Sequence, residues 1–382
     1  MPRSLVALLC ASAATAAFIP YYDRPEWSLQ TRAFSDFRND GKCTAAQVAT
    51  LTAWVTDAIA LADAAIDAIT SLQAATRPYT GADDWTAKTM HRYLGIDYAT
   101  GTANDYTTIS GEPFILFVGF AIAELHGARY FHRLINTVLG YYTAAKNFMS
   151  GQYAPYNVDQ SWIFCGDYFT EPKQWSDIAY DSTGAQIPTS PTDNTPLKLE
   201  DVPEYISDKT KGNVPYWIDA MKRYAFQLPN TLNPGQQGST AGGICSNNNK
   251  NPQAVHIRTS DRISVITICN PMNRPSNGKN GFNLFPYDKV SDIPFAAGKN
   301  MNYYRSGSGT ILHEIMHASR PDGQTPDTIA NNFQQCATQT NRAAVRHSPE
   351  CAVVFASAMW LQTKTNNDGD AYVFWSGVAA KP

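Results

Sequence analysis

Two histidines and a glutamate at helical spacing are the residues of this chain best suited to chemistry. They lie in the segment His313-Glu314-Ile315-Met316-His317. On an α-helix, positions four apart share one face, so both imidazoles can reach a single tetrahedral Zn²⁺. The glutamate after the first histidine then lies beside the metal, where it can take a proton from a bound water. The pattern therefore indicates a zinc site able to hydrolyse amide bonds.

A zinc hydrolase needs a third protein ligand, and the spacing leaves three acidic candidates. Asp322 and Asp327 lie in a turn just after the helix, where the chain can return to the metal. Glu350 is more distant and lies between Pro349 and Cys351. Aspartates next to Pro and Gly are common in turns without any metal. A chance His-Glu-x-x-His match on a buried core helix is the alternative to a metal site altogether.

The helix and the segment after it resemble the deuterolysin-like aspzincin metallopeptidases, which include the peptidyl-lysine metalloendopeptidases. Residues 309–317 match the family's Gly-Thr-x-x-His-Glu-x-x-His helix, and Thr325-Pro326-Asp327 is similar to its Thr-x-Asp segment with one extra residue before it. The resemblance implies a zincin fold with Asp327 as the third ligand. It further implies Glu314 as the general base.

Two further segments carry the resemblance. Residues 266–269 are similar to a family strand that ends in Cys, and the resemblance implies that an extended peptide substrate pairs with this strand as an edge. Residues 370–374 resemble a C-terminal segment whose Asp lies near the S1′ pocket of the family. Asp370 and Tyr372 are therefore candidate substrate-binding residues, although Asp370 equally suits a helix cap or a surface salt bridge. Val373 replaces an acidic residue of the lysine-selective members, which argues against lysine preference.

One departure from the family concerns the oxyanion. The family's Tyr-Gly pair after the aspartate falls here on Ala330-Asn331, so the tyrosine that steadies the oxyanion is missing from its expected place. Tyr303, Tyr304 and Tyr372 are the candidates to replace it.

The N-terminus indicates export, and the charge pattern bears on the kind of partner. Arg3 precedes an apolar run, Leu5 to Ala17, that ends in small residues, which predicts a signal peptide over residues 1–17. Later apolar runs are about ten residues long, too short for a membrane span. The net charge of −3 without a Lys/Arg block argues against nucleic acid or a membrane surface as a partner. We expect a soluble, secreted, extracellular protein.

The cysteines agree with export. Cys10 lies in the predicted signal peptide, and the six that remain are an even number, which predicts three disulfides in an oxidising compartment. Sequence proximity favours two pairs and leaves the third: Cys245–Cys269, Cys336–Cys351 and Cys43–Cys165.

Apolar periodicity predicts a mainly helical N-terminal region over residues 18–160. Apolar residues recur at helical spacing from Leu51 to Leu72, which predicts an amphipathic helix. Further helices are expected over residues 84–93 and 114–147, the latter broken near Gly127. This region is either part of the catalytic fold or a removable propeptide.

The rest of the chain is predicted to comprise a loop-rich region and a catalytic core. Residues 161–261 are rich in Pro, Gly, Asn and Asp, which predicts loops. Residues 262–382 form the predicted zincin core. Its elements are a β-branched strand over Ile263–Cys269, the helix through Thr310–Ser319, and a last helical region over residues 328–361 interrupted at Pro349.

Together these features predict an α+β, disulfide-bonded zincin-like metallopeptidase fold with a small twisted sheet beside the active-site helix. The expected function is a secreted, monomeric zinc endopeptidase acting on proteins or peptides. His313, His317 and Asp327 would hold zinc, and Glu314 would be the general base. The alternative from another class is a catalytically inactive zincin-like binding protein or effector. A zinc hydrolase of non-peptide substrates is a third reading.

Overall fold

The computed structural model describes most of the chain after residue 42. The described residues are 43–75, 79–96, 120–151, 161–166, 169–190, 192–227, 245, 254–260, 263–269, 287–320, 325, 327, 329–330, 332–363 and 372–381. The predicted signal peptide, Asp322 and Asp370 lie outside them.

Helices and strands both contribute to the described fold, which confirms the mixed α and β class. The helices are α1 (Ala45–Ala74), α2 (Gly81–Leu94), α3 (Phe120–Met149), α4 (Ile206–Thr210), α5 (Gly307–Ala318), α6 (Phe333–Thr338), α7 (Arg342–Val345) and α8 (Pro349–Thr363). The strands are β1 (Trp162–Cys165), β2 (Thr170–Pro172), β3 (Pro188–Ser190), β4 (Asp193–Pro196), β5 (Val214–Ile218), β6 (Arg223–Gln227), β7 (Ala254–Arg258) and β8 (Ser264–Ile268).

The helices largely follow the predicted periodicity. Helix α1 contains the predicted Leu51–Leu72 segment and begins with a capping box, in which Thr44 and Gln47 satisfy each other's backbone amides. The expected interruption of the last helical region is confirmed, because Pro349 is the first residue of α8. The predicted break near Gly127 is wrong, since α3 is continuous from residue 120 to 149. A single glycine inside a long helix costs only about 1 kcal/mol, which tertiary packing can offset.

The strands correct two predictions. Strands β1 to β7 all begin within residues 161–261, so this region is not made only of loops. Strand β8 confirms the predicted strand, but it is the central strand of a sheet with the order β1-β8-β7. It pairs in parallel with β1 and antiparallel with β7. The expectation that β8 is an open edge for a peptide is therefore wrong, because both of its sides are occupied.

The chain between β1 and β7 forms two further small sheets. Strands β2, β5 and β6 form an antiparallel sheet in the order β2-β5-β6, and β3 pairs with β4. These strands are only three to five residues long and contain Pro172, Pro188, Pro196 and Pro215. These prolines are one reason that the region has the composition of loops.

Helix α5 lies inside the main hydrophobic core. Apolar side chains of α1, α2, α3 and α8 share this core with Ile311, Leu312 and Ile315 of α5. The predicted N-terminal helices therefore pack in the same unit as the helix that carries the histidines. Helix α1 is long and apolar enough to cross a membrane by length and composition alone. Its buried face lies in this core, and a buried core helix passes the same test.

Three disulfides join distant parts of the fold. They are Cys43–Cys165, Cys245–Cys269 and Cys336–Cys351, which confirms the predicted pairing. The first ties the residue before α1 to the end of β1, and the third ties α6 to the first turn of α8. Such bonds fit an extracellular protein, since they persist in oxidising compartments.

A buried carboxylate on α1 anchors the start of α5. Asp57 accepts hydrogen bonds from the Ser308 hydroxyl (2.6 Å) and from the Val290 amide (3.1 Å). Trp54, one turn earlier on α1, donates its indole N–H to Asp288 and packs flat against Gly307. A Cβ atom at Gly307 would overlap the Trp54 ring, so only glycine allows this close contact.

We expect Gly307→Ala to lower the free energy of unfolding by about 1–3 kcal/mol, because the added methyl group forces Trp54 or α5 to move. Chemical denaturation in the presence of a chelator measures this loss without a contribution from bound metal.

Gly140→Ala in α3 is the matched control. Its Cβ would lie 3.4 Å from Arg320 Nη2, the nearest atom outside the helix backbone, and alanine favours a helix interior by up to about 1 kcal/mol. Equal unfolding free energies for the two variants would show that the Trp54–Gly307 contact does not constrain the fold.

Candidate metal centre

Three donor atoms converge at the C-terminal half of α5. Asp327 Oδ1 lies 3.0 Å from His313 Nε2 and 2.9 Å from His317 Nε2. The two Nε2 atoms are 3.3 Å apart. The helix supplies the histidines one turn apart, and Asp327, ten residues after His317, lies at the same point. Among the described residues, these three form a group that could hold a metal ion.

The spacing of these atoms suits a tetrahedral metal. A Zn–N bond of about 2.0–2.1 Å places neighbouring ligand atoms about 3.3 Å apart. The observed separations of 2.9–3.3 Å are close to this edge length. Nitrogen and carboxylate oxygen are ligands that zinc accepts, and other divalent transition metals accept them too. The structure therefore supports a metal site without identifying the metal.

Each histidine has a different partner at its second ring nitrogen. His317 Nδ1 lies 3.1 Å from the hydroxyl of Thr325. His313 Nδ1 lies 3.6 Å from Glu350 Oε2. Glu350 thus faces the side of His313 away from the Nε2 cluster. This position argues against Glu350 as the third ligand and leaves Asp327 beside both Nε2 atoms. The other candidate, Asp322, lies outside the described residues.

Glu314 is buried next to the cluster, with 6% of its surface exposed. Burial raises the pKa of its carboxyl above the ordinary value, and the charges of His313 and His317 offset part of this rise. A hydrogen bond from the backbone of His256 also lowers the pKa of Glu314. Strand β7, which carries His256, therefore holds the carboxylate from the sheet side.

Strand β7 contributes two residues that the sequence analysis did not identify. Arg258 Nη2 donates to the carbonyls of His317 (3.1 Å), Ala318 (3.4 Å) and Arg320, at the C-terminal end of α5. The ring of His256 lies parallel to that of His317, with 6.2 Å between centroids. No motif marks these residues, because their role depends on the pairing of β7 beside α5.

The tyrosines predicted to stabilise the oxyanion or bind substrate make contacts with residues outside the metal cluster. The Tyr304 hydroxyl is hydrogen-bonded to the backbone N–H and C=O of Ala296. Tyr372 is 6% exposed and packs against Phe295, while the Tyr303 ring lies below Lys299. The substrate-binding role of Tyr372 stays a prediction. Asp370 lies outside the described residues.

The protonation states of His313 and Asp327 depend on each other. Burial alone would lower the pKa of His313, but the contacts with Asp327 and Glu350 raise it well above its ordinary value. Partial desolvation beside the two imidazole rings would raise the pKa of Asp327, but hydrogen bonds with His313 and His317 lower it well below its ordinary value. Without metal, the cluster therefore holds an imidazolium beside an ionised carboxylate.

Comparison with protein-family models, with curated protein sequences and with solved structures finds no match to this chain.

The ligand set is tested by metal content. We expect about one zinc per purified wild-type chain, and a loss of most of it in Asp327→Ala, because two imidazoles alone hold zinc weakly. Elemental analysis of both proteins after dialysis measures the ratio. Asp322→Ala is the matched control and should keep its zinc. Zinc lost from Asp322→Ala but retained by Asp327→Ala would show that the third ligand is misassigned.

Zinc binding should release about one proton near pH 7, since His313 is protonated in the metal-free cluster and ligates only when Nε2 is free. Because the pKa of His313 is raised, affinity should increase with pH until the pH exceeds this pKa. Calorimetric titrations in buffers with different ionisation enthalpies count the protons. A binding enthalpy independent of the buffer would contradict the proposed protonation state.

Proposed function

We propose that this protein is a secreted zinc-dependent endopeptidase with a zincin-like catalytic core. The observation that carries the proposal is the cluster of His313, His317 and Asp327 donor atoms beside α5, the helix that also carries the buried Glu314. A purely structural metal site has no need of Glu314, because a buried carboxylate that does not ligate is costly to desolvate. The disulfides and the predicted signal peptide support secretion.

The charges around the site favour a divalent cation. Glu314 and Glu350 are both at least nine-tenths buried, and Asp327 adds a third carboxylate. Among the described residues, Arg305 is a cation that lies near this group, with its Nη2 3.6 Å from Glu350 Oε1. With both imidazoles neutral, the carboxylates are in excess, and a divalent ion between the Nε2 atoms would compensate them.

The chain's own residues divide the work of peptide hydrolysis. When bound by His313, His317 and Asp327, Zn²⁺ would polarise the scissile carbonyl and acidify a water molecule. Glu314 accepts the proton from the attacking water and delivers it to the leaving amine. Its raised pKa suits both tasks, because a base nearer neutrality also returns the proton readily.

A catalytically inactive zincin-like binding protein is the second candidate. The observation that favours it is the absence of a tyrosine after Asp327 at the position the resemblance implies, where Ala330 is buried with 2% exposure. Tyr304 uses its hydroxyl on the backbone of Ala296, so it does not compensate in this conformation. A site that holds metal but does not stabilise the oxyanion would bind peptides without cleaving them.

Glu314→Gln should lower kcat for peptide hydrolysis by about 10²- to 10⁴-fold, because the amide cannot accept the proton. The variant should keep its zinc, since Glu314 is not among the ligands. A panel of peptides, esters and small amides, assayed with wild type and variant, measures both the activity and its class.

The controls separate the candidates. Asp327→Ala should lose activity together with zinc, whereas Glu314→Gln should lose activity alone. Wild type that carries zinc and cleaves nothing in the panel, but binds peptides as well as Glu314→Gln does, would favour the binding protein. Hydrolysis of esters without peptides would favour a non-peptide hydrolase.

A further inference from the structure

A buried carboxylate on α8 lies behind one of the two histidines. Glu350 Oε2 is 3.6 Å from His313 Nδ1, and Oε1 is 3.6 Å from Arg305 Nη2. The Glu350 side chain is 10% exposed, and that of Arg305 is 38% exposed. Each carboxylate oxygen therefore faces a different partner. Burying a carboxylate costs free energy unless such partners compensate it.

The backbone fixes Glu350 on both sides. Pro349, the first residue of α8, has a restricted φ angle, and Cys351 is bonded to Cys336 on α6. Glu350 also lies in the first turn of α8, where the helix dipole stabilises a negative charge. The backbone from which the Glu350 side chain extends is thus constrained independently of any metal.

The partner of His313 differs in charge from that of His317. Thr325 offers a neutral hydroxyl to His317 Nδ1 at 3.1 Å, whereas Glu350 offers a carboxylate to His313. A carboxylate near Nδ1 favours the tautomer with the proton on that nitrogen. It leaves Nε2 free to ligate and makes the imidazole a stronger donor.

We propose that Glu350 is a positioning residue that orients His313 and strengthens it as a metal ligand, and that Arg305 holds the second oxygen of Glu350 in this arrangement. The role depends on the metal site of the proposed function but not on peptidase activity. Thr325 has the corresponding but weaker effect on His317, because its hydroxyl is uncharged.

The test is zinc affinity, measured by titrating the metal-free protein with Zn²⁺ against a chelator of known affinity. Glu350→Gln keeps the shape of the side chain and removes its charge. We expect it to bind one zinc per chain about 10- to 100-fold more weakly than wild type. The visible absorption spectrum of the Co²⁺ form should also shift, since the donor strength of His313 changes.

Two further variants serve as controls. Thr325→Val should weaken zinc binding less than Glu350→Gln does. Arg305→Gln changes a partly exposed side chain, so it tests the proposal even where Glu350→Gln does not fold; it should weaken binding about threefold or more. Thermal unfolding of each metal-free variant shows whether the fold is intact.

Two results would overturn the role of Glu350. One is zinc affinity and a Co²⁺ spectrum equal to those of wild type in every variant that folds. The other is complete loss of zinc from Glu350→Gln with retention by Asp327→Ala, since Glu350 would then be a ligand. Failure of wild type to cleave peptides would overturn the proposed peptidase but leave these affinity differences intact.

Discussion

The position of α5 is the constraint on which the candidate site depends. Charged side chains from two other elements hold this helix at its opposite ends. At the N-terminus, the Asp57 carboxylate of α1 accepts from Ser308. At the C-terminus, the Arg258 guanidinium of β7 donates to three carbonyls, including that of His317. The negative charge of Asp57 and the positive charge of Arg258 both suit the helix dipole, which favours an anion at the start of a helix and a cation at its end. The histidines are thus aimed by a helix that cannot slide along its axis without breaking one of these anchors.

The two histidines have unequal surroundings although they lie one turn apart. Their inner nitrogens share Asp327, but their outer nitrogens face a carboxylate in one case and a hydroxyl in the other. The difference arises because Glu350 of α8 lies beside His313, whereas Thr325 lies beside His317. A symmetrical motif in the sequence therefore becomes an asymmetrical site, in which the two candidate ligands have neighbours of different charge.

Local signals in the sequence predicted the parts of the fold that depend on local physics. The apolar period of α1, the histidine spacing of α5 and the proximity of Cys336 to Cys351 each act within a short stretch of chain. The sequence did not predict β1 to β7, because these strands are only three to five residues long, four of them contain proline, and their pairing is decided by distant partners. For the same reason it missed Arg258 and His256, and it placed β8 at an edge when β1 and β7 cover both of its sides. Glu350 was one of the candidate third ligands, because the sequence does not show which ring nitrogen of His313 it faces. Only the packing of α8 beside α5 places it near Nδ1.

The exposure of the three ligands bears on the kind of metal site. The side chains of His313 and His317 are 19% and 14% exposed, whereas that of Asp327 is 62% exposed. The cluster therefore has a protected face against α5 and β7 and an accessible face at Asp327. Structural zinc sites surround the ion with four protein ligands, while catalytic sites use three and leave a position for water or substrate. Within the described part of the chain, the cluster offers three candidate ligands. A protein substrate is too large to enter a closed cavity, so it can reach such a site only from an accessible face. The face at Asp327, next to the buried Glu314, meets this requirement.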